Sequence, residues 1–198
     1  MDKQLAKMDV LYEDLELRGV DYREVALPKA EYARCSFSNC SFAQTDLGSV
    51  KFEACTFVDC DLSMAKIEET AFRDVTFIRC KLLGLRFDTC AAFGLALHFE
   101  YCALSMSSFE GLKLKKTAFT HCKLDQMDFT GTDLSGAVFD ECDLHSTLFE
   151  RTILKQADLR TAYHFTIDPE SNVVTKARFS KHNLSGLLYR YNLHIDDD

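Results

Sequence analysis

The sequence contains no tryptophan, only two prolines and only eight glycines among its 198 residues. Basic residues are in the minority, with 23 Lys and Arg against 31 Asp and Glu, for a formal net charge of −8. This balance argues against a general nucleic-acid-binding protein, which needs a basic footprint. No stretch approaches the roughly 18 apolar residues of a membrane-spanning helix, and residues 1–11 lack the apolar run of a signal peptide. We therefore expect a cytoplasmic protein with reduced thiols.

Against these absences, hydrophobic residues make up 47% of the chain, which is enough for a packed core in one domain or two small ones. The chain is rich in two residue types, with 16 Phe and nine Cys. Because nine is an odd number, the cysteines cannot all pair within one chain, and their abundance requires another explanation.

A large apolar residue recurs at every fifth position through most of the chain. One run extends, weakly at its ends, from Tyr12 to Ala92 and Leu97, and a second extends from Leu104 to Leu159 with its phase shifted by two residues. A period of five matches neither an α-helix nor a β-strand, and it predicts one inward-pointing side chain in each short straight segment with a corner between segments. The two runs place a phase break near 98–103.

The position two residues before each large side chain is mostly small, so that small and large residues alternate inward and fill a narrow tube. All nine cysteines occupy this position: Cys35, Cys40, Cys55, Cys60, Cys80, Cys90, Cys102, Cys122 and Cys142. We expect them to be inward structural residues that behave as small hydrophobic side chains.

Two repeats carry a recognisable motif, Thr132-Asp133-Leu134-Ser135-Gly136 and Ala157-Asp158-Leu159-Arg160-Thr161. Over about residues 20–162 the chain resembles the pentapeptide-repeat family, whose repeat is A(D/N)LXX. The resemblance implies an all-β fold, a right-handed quadrilateral β-helix in which four repeats make one 20-residue coil. About seven coils stacked about 4.8 Å apart would form a rod roughly 35 Å long.

Residues 20 apart would stack in this fold. Phe109, Phe129 and Phe149 would form one aromatic column, and Phe119 and Phe139 another. Neighbouring cysteines in a column would lie within the Cα range of a disulfide, but their side chains would have to turn along the axis of the tube, and we expect free thiols.

The chain divides into a lead-in at 1–11, a solenoid at 12–162, and a C-terminal segment at 163–198 with a turn, a helix capped by Ser180, and an acidic tail. This segment is similar to the C-terminal module of pentapeptide proteins that protect type II DNA topoisomerases, the quinolone-resistance, microcin-immunity and albicidin-resistance groups. It is either a cover for the open end of the solenoid or, as the resemblance implies, a homodimer interface, and the two roles are compatible. The candidate interface residues are Phe179, Leu184, Leu187, Leu188, Tyr191 and Leu193.

No catalytic or metal-binding motif accompanies the repeat. The six histidines form no zinc-ligand spacing, and His121 points outward where its neighbour Cys122 points inward. We therefore expect no enzymatic activity, no cofactor and no metal.

Acidic residues are the main surface signal, because seven acids and no Lys or Arg lie between Lys123 and Arg151. The candidate acidic partner-binding surface comprises Glu110, Asp125, Asp128, Asp140, Glu141, Asp143, Glu150 and Asp158. Basic residues interrupt it in a stripe, with Lys113, Lys115, Lys116 and Lys155 against Asp133.

The resemblance implies a DNA-mimicking rod that binds gyrase or topoisomerase IV and protects it from quinolone-like drugs or peptide toxins, without direct nucleic-acid or membrane binding. Residues 12–162 carry 24 acidic and 17 basic residues, a net charge of −7. This is about a third of the roughly 20 charges on 35 Å of B-DNA. A scaffold for an unrelated partner is the alternative, and a redox or metal-linked sensor is a third possibility.

Overall fold

A computed structural model describes residues 10–194, and in it the chain winds into a parallel β-solenoid. Most of the predicted lead-in and the whole predicted acidic tail, Asp196–Asp198, lie outside the described residues. Two parallel sheets run along the solenoid, one in the order β1-β3-β5-β7 and the other in the order β2-β4-β6-β8-β9-β10-β11. The all-β architecture expected from the repeat is therefore confirmed.

The strands of the described residues are β1 Leu11–Glu13, β2 Glu16–Arg18, β3 Glu31–Ala33, β4 Ser36–Ser38, β5 Lys51–Glu53, β6 Thr56–Val58, β7 Ala71–Arg73, β8 Val75–Ile78, β9 Leu97–Glu100, β10 Ala118–Thr120 and β11 Val138–Asp140. A 3₁₀ turn at Phe87–Thr89 interrupts them. Isolated parallel bridges, such as Lys113 with Asp133, continue the ladder outside the named strands.

Strand partners lie 20 residues apart, as Phe37 and Phe57 do, so four five-residue repeats make one coil. Side chains at the large positions stack into four columns, which we name by one member each: the Phe119, Leu124, Phe129 and Leu134 columns. All four of these residues are buried.

The Phe119 column is an unbroken stack of phenylalanines: Phe37, Phe57, Phe77, Phe99, Phe119 and Phe139. Adjacent ring centroids in this stack are 4.7 to 5.6 Å apart. The predicted stack of Phe109, Phe129 and Phe149 is also confirmed, with centroids 5.7 and 5.5 Å apart. Each such pair adds about 0.5–1.5 kcal/mol to the stabilisation from burial, so the columns hold successive coils together.

The two-residue insertion lies earlier than the sequence pattern predicts. Ala71 pairs with Ala91 at an offset of 20, whereas Val75 pairs with Leu97 at an offset of 22, so the extra residues fall within 92–96 rather than near 98–103. We call residues 92–96 the bulge. Its position shows that the predicted location of the phase break is wrong.

The corrected register also changes which residue occupies the large position. Phe99 pairs with Phe77 and continues the Phe119 column, while Leu97 takes the small inward position opposite Val75 and Ala92 is exposed. The interpretation of Ala92 and Leu97 as large inward residues is therefore wrong. The physical reason is that Phe99 stacks on the rings before and after it in the column.

All nine cysteines are buried and free, at the inward positions that the period predicts. The shifted register joins two sets of three into one column: Cys40, Cys60, Cys80, Cys102, Cys122 and Cys142. The backbone N–H of Cys80 donates to Cys102 Sγ at 3.4 Å, so the column continues without a gap between the coils before and after the bulge. The Cys60 thiol donates to the Phe37 carbonyl at 3.3 Å, so this inward thiol also links adjacent coils.

The solenoid continues beyond the predicted boundary at residue 162. Parallel bridges join Ile153 to Val173 and Asp158 to Arg178, so the ladder reaches Arg178. Asn172 fills a small inward position there, where its Oδ1 accepts from the Thr152 N–H at 2.8 Å. The boundary at 162 is therefore wrong. The five-residue apolar pattern is not visible in this coil, because the polar Asn172 occupies an inward position and is accommodated there by its hydrogen bonds.

The C-terminal segment closes this end of the solenoid with short turns. Ser180 caps a 3₁₀ turn at Lys181–Asn183, as predicted, and its side chain accepts from the His182 N–H. A single α-helical turn, α1 at Ser185–Leu188, and a 3₁₀ turn at Tyr189–Tyr191 follow. The predicted helix is therefore one turn between two tighter ones.

Phe179 and Leu187 of this segment pack against the core. A Cβ atom at Gly186 would collide with the backbone oxygen and the ring of Phe165, so this close approach requires glycine. The segment therefore acts as a cover for the last coil.

Candidate acidic partner-binding surface

The eight acidic residues predicted as a partner-binding surface all lie on the outside of the solenoid. Glu110, Glu141 and Glu150 are exposed. The five aspartates are half-buried: Asp125, Asp128, Asp140, Asp143 and Asp158. These residues follow the corners and edges of several columns, so they form separate stripes rather than one continuous patch.

Aspartates that directly precede a large residue have a local structural role. Their Oδ1 atoms accept from the backbone N–H two residues later, as Asp128 does from Thr130 at 2.8 Å and Asp133 does from Ser135 at 3.0 Å. Such Asx turns replace a backbone contact at the point where the chain begins to bend. The aspartate of the repeat motif therefore shapes the coil, and only its outer oxygen is left for a partner.

Several of the predicted carboxylates are already paired with cations. Asp158 lies 2.8 Å from Arg160 and 3.0 Å from Arg178, and Glu150 lies 2.9 Å from Arg151. The side-chain hydrogen bond from Arg160 lowers the pKa of Asp158 below its usual value, against a smaller opposing effect of burial. These carboxylates contribute little net negative charge to a binding surface.

Two aspartates pair with histidines from the following coil. Asp125 lies 2.9 Å from His145 Nδ1, and Asp143 lies 2.9 Å from His164 Nδ1. Both histidines are exposed, so each pair remains in contact with solvent.

Within residues 10–194, four of the eight carboxylates have no cationic side chain within ion-pair distance: Glu110, Asp128, Asp140 and Glu141. Glu110 and Asp128 lie on adjacent coils, because Ser108 bridges to Asp128. Asp140 and Glu141 follow Phe139 directly, and Asp140 accepts from the Thr161 hydroxyl at 2.9 Å. The structure thus reduces the predicted surface to two small groups of acids that have no ion pair among the described residues, and in one of them Glu110 and Asp128 are attracted by the charge of Arg86 on the preceding coil.

In the described part of the chain, no group of three or more His, Cys, Asp or Glu side chains is arranged to hold a metal ion. His121 stacks on Tyr101 with ring centroids 4.7 Å apart, while Cys122 is buried, so the two adjacent residues face opposite ways as predicted. No described helix is both long and apolar enough to cross a membrane.

The structure separates the six predicted dimer residues into two groups. Leu184, Leu188, Tyr191 and Leu193 are exposed, whereas Phe179 and Leu187 pack inward. Tyr189 is also exposed and is absent from the prediction, because it lies in a 3₁₀ turn rather than on the expected helical face. The C-terminal segment therefore exposes several large apolar side chains, as an interface would, beside exposed charged residues such as Lys181 and Arg190.

A protein-family model described as the pentapeptide repeat region matches residues 30–94 and 86–159 of the sequence. A comparison with curated protein sequences finds no match.

Among solved structures, this chain is similar to a trypsin-treated form of QnrB1, a plasmid-mediated fluoroquinolone resistance protein. The TM-score is 0.60 at 16% identity, covering 92% of this chain and 99% of that one. Full-length QnrB1 gives a TM-score of 0.55 at 16% identity, with coverages of 92% and 100%. HetL, a protein involved in heterocyst differentiation regulation from Nostoc sp. Strain PCC 7120, gives 0.41 at 17% identity, with coverages of 85% and 86%. At these identities, the QnrB1 matches establish the likeness of the fold.

Proposed function

This chain belongs to the pentapeptide-repeat family, and from that premise we propose that it is a non-enzymatic rod that binds gyrase or topoisomerase IV and protects it from quinolone-like drugs or peptide toxins. The proposal includes a right-handed, four-sided cross-section, a cytoplasmic location, and neither a cofactor nor direct contact with nucleic acid. The observation that carries it is the placement of carboxylates on a straight stack of coils whose fold is like that of QnrB1.

The rod resembles DNA more in shape than in charge. Coils repeat about every 4.8 Å along the axis, while B-DNA carries about one charge per 1.7 Å. Arg160, Arg178 and Arg151 neutralise part of the acidic surface further. We therefore expect the enzyme to recognise the rod by its shape and by a few carboxylates, with an affinity that falls as salt rises.

A homodimer formed through the C-terminal segment is part of the proposal. Leu184, Leu188, Tyr191 and Leu193 are exposed apolar side chains of that segment. Two rods joined there would span about twice the length of one, and a longer rod would occupy more of a DNA-binding saddle.

The test is a gyrase supercoiling assay with a quinolone, in which the wild-type protein is expected to restore supercoiling. The variant E110Q/E141Q removes two exposed carboxylates, and we expect it to protect several-fold less well. The matched control is E68Q/E69Q, because these residues are also exposed and follow a large inward residue. No protection by the wild-type protein at several-fold molar excess would reject the proposed function.

A scaffold for an unrelated partner is the second candidate, and the charge stripes of both signs favour it. It is distinguished by direct binding measurements against purified gyrase and topoisomerase IV subunits at about 100 mM salt, where screening is moderate. A rod that binds none of these subunits belongs to the scaffold class.

A further inference from the structure

The bulge places an aromatic ring far out of the solenoid. The Phe93 side chain has 84% of its surface exposed, more than any other large hydrophobic side chain in the described residues. Gly94 follows in the left-handed conformation, with φ of 74°, which turns the chain back towards the core. Leu95 packs against the core, so the backbone that carries Phe93 is attached to the solenoid two residues later.

The Arg73 side chain packs against the Phe93 ring. Its guanidinium carbon lies 6.0 Å from the ring centroid, which is within the range of a cation–π contact. The Arg73 side chain also lies close to Gly94, since a Cβ atom there would be in ordinary van der Waals contact with it at 3.5 Å. The Nε atom of Arg73 is buried and has no hydrogen-bond partner among the described residues. The Arg73 side chain is half-buried, and its Nη1 atom lies 3.7 Å from a carboxylate oxygen of Glu53, so this arginine contacts the Phe93 ring while it is held by the ladder of the preceding coils.

A group of lysines lies next to the bulge. Leu95 and His98 line a small cavity of about 90 Å³ together with Lys113, Lys115 and Lys116, which shows that the two elements are adjacent. Lys115 pairs with Asp133 at 3.3 Å. Lys113 and Lys116 are exposed and have no carboxylate partner within residues 10–194. The chain is acidic as a whole, yet this part of its surface is positive.

We propose that Phe93, Lys113 and Lys116 form a docking surface for an acidic protein segment whose apolar side chains cover the Phe93 ring. The partner is identified by charge complementarity, since two exposed lysines without a carboxylate partner in the described part of the chain lie next to the bulge that carries the exposed Phe93 ring. This surface is opposite in sign to the acidic stripes and is independent of them. A polyphosphate chain fits it less well, because nucleic-acid binding requires a broader basic footprint and this protein carries a net charge of −8.

The probe is a phage-displayed library of random peptides, selected on the wild-type protein and counter-selected on the F93S variant. We expect the recovered peptides to combine several Asp or Glu residues with aromatic or large aliphatic ones. The best peptide is then synthesised, and its affinity is measured by fluorescence anisotropy. It should weaken roughly tenfold with F93S and with K113Q/K116Q, and further as salt rises.

The matched control is K66Q/K81Q, which neutralises two exposed lysines elsewhere on the rod and should leave the affinity unchanged. Circular dichroism spectra that match the wild type show that each variant keeps the fold. The proposal is overturned if no peptide is enriched, or if the recovered peptides lack acids or bind F93S equally well. It is also overturned if a labelled DNA oligonucleotide binds through the lysines without Phe93, or if the wild-type protein self-associates through Phe93.

Discussion

Most corners of the solenoid have one residue in the left-handed backbone conformation, two positions after a large side chain. His121 and Glu141 both adopt it with φ of 51°, and Gly131 adopts it with φ of 65°. For a residue with a Cβ atom this conformation costs about 1–2 kcal/mol. The corner is held by the ladder, since the His121 N–H donates to the Asp140 carbonyl at 2.8 Å. A chain with eight glycines can therefore make many corners with other residue types.

The corrected register makes a residue-scale prediction about two phenylalanines that lie six positions apart. Phe99→Ala should lower the free energy of unfolding by about 3–5 kcal/mol, because it opens a cavity in the Phe119 column. Phe93→Ala is the control and should change it by less than about 0.5 kcal/mol, since that ring is exposed. Chemical denaturation measures both, and equal effects of the two substitutions would contradict the register.

At the scale of the element, the last coil depends on polar contacts rather than on apolar burial. Asn172 Nδ2 donates to the Phe149 carbonyl at 3.0 Å, and its Oδ1 accepts from the Thr152 N–H at 2.8 Å. One side chain thus satisfies two buried backbone groups of the preceding coil. A coil of this kind is not recognised from an alternation of small and large apolar residues, because its inward side chain is polar.

Asn172→Ala should lower the free energy of unfolding by about 1–3 kcal/mol, because it leaves the Thr152 N–H and the Phe149 carbonyl without partners. The exposed Thr175 lies three residues later, and Thr175→Ala serves as the control. Urea denaturation compares the two variants. If Asn172→Ala retains the wild-type stability, the ladder does not depend on this side chain.

The inward cysteines share a simple chemical signature, which is burial. Burial raises the pKa of Cys90 to about 12 and that of Cys55 to about 11, so these two thiols form little thiolate at neutral pH. All nine thiols should react with a disulfide reagent roughly a hundredfold more slowly in the folded protein than in guanidinium. Thr175→Cys adds one exposed thiol and should add one fast equivalent. Several fast thiols in the wild-type protein would instead favour the redox-sensor alternative.

At the scale of the whole molecule, the net charge of −8 is spread over separate stripes of both signs. The four acids of the candidate surface that have no ion pair within residues 10–194 adjoin the Phe129 and Phe119 columns, whereas Lys113 and Lys116 adjoin Leu114 in the Leu134 column next to the bulge. A rod with this pattern can present different surfaces to different partners. Its stiffness comes from the aromatic stacks and the backbone ladder that run along its length.

The proposed homodimer makes a whole-molecule prediction. The double variant L188D/Y191D should convert the dimer to a monomer, because it places two charges among the exposed apolar side chains of the C-terminal segment. Sedimentation velocity reports the change, and Leu148→Asp is the control at an exposed leucine on the side of the rod. Substitution of Leu187 is unsuitable, since that side chain packs against the core. A wild-type monomer, or a variant that stays dimeric, would contradict the C-terminal interface.

Much of this protein could be predicted from its sequence alone. The period of five placed the nine cysteines inward, the resemblance to the pentapeptide-repeat family implied the 20-residue coil and hence the aromatic columns, and the preference of serine for N-caps indicated the role of Ser180. The period and the columns are predictable because each coil is specified by its own small and large residues. Tertiary structure alone decided the position of the bulge, the continuation of the ladder beyond residue 162 and the pairing of the acids with Arg178 and His145. These depend on which residue of the neighbouring coil lies opposite. The composition divides in the same way. The scarcity of proline is visible in the sequence and suits a continuous backbone ladder, whereas the contacts between coils determine which charged side chains remain free to bind a partner.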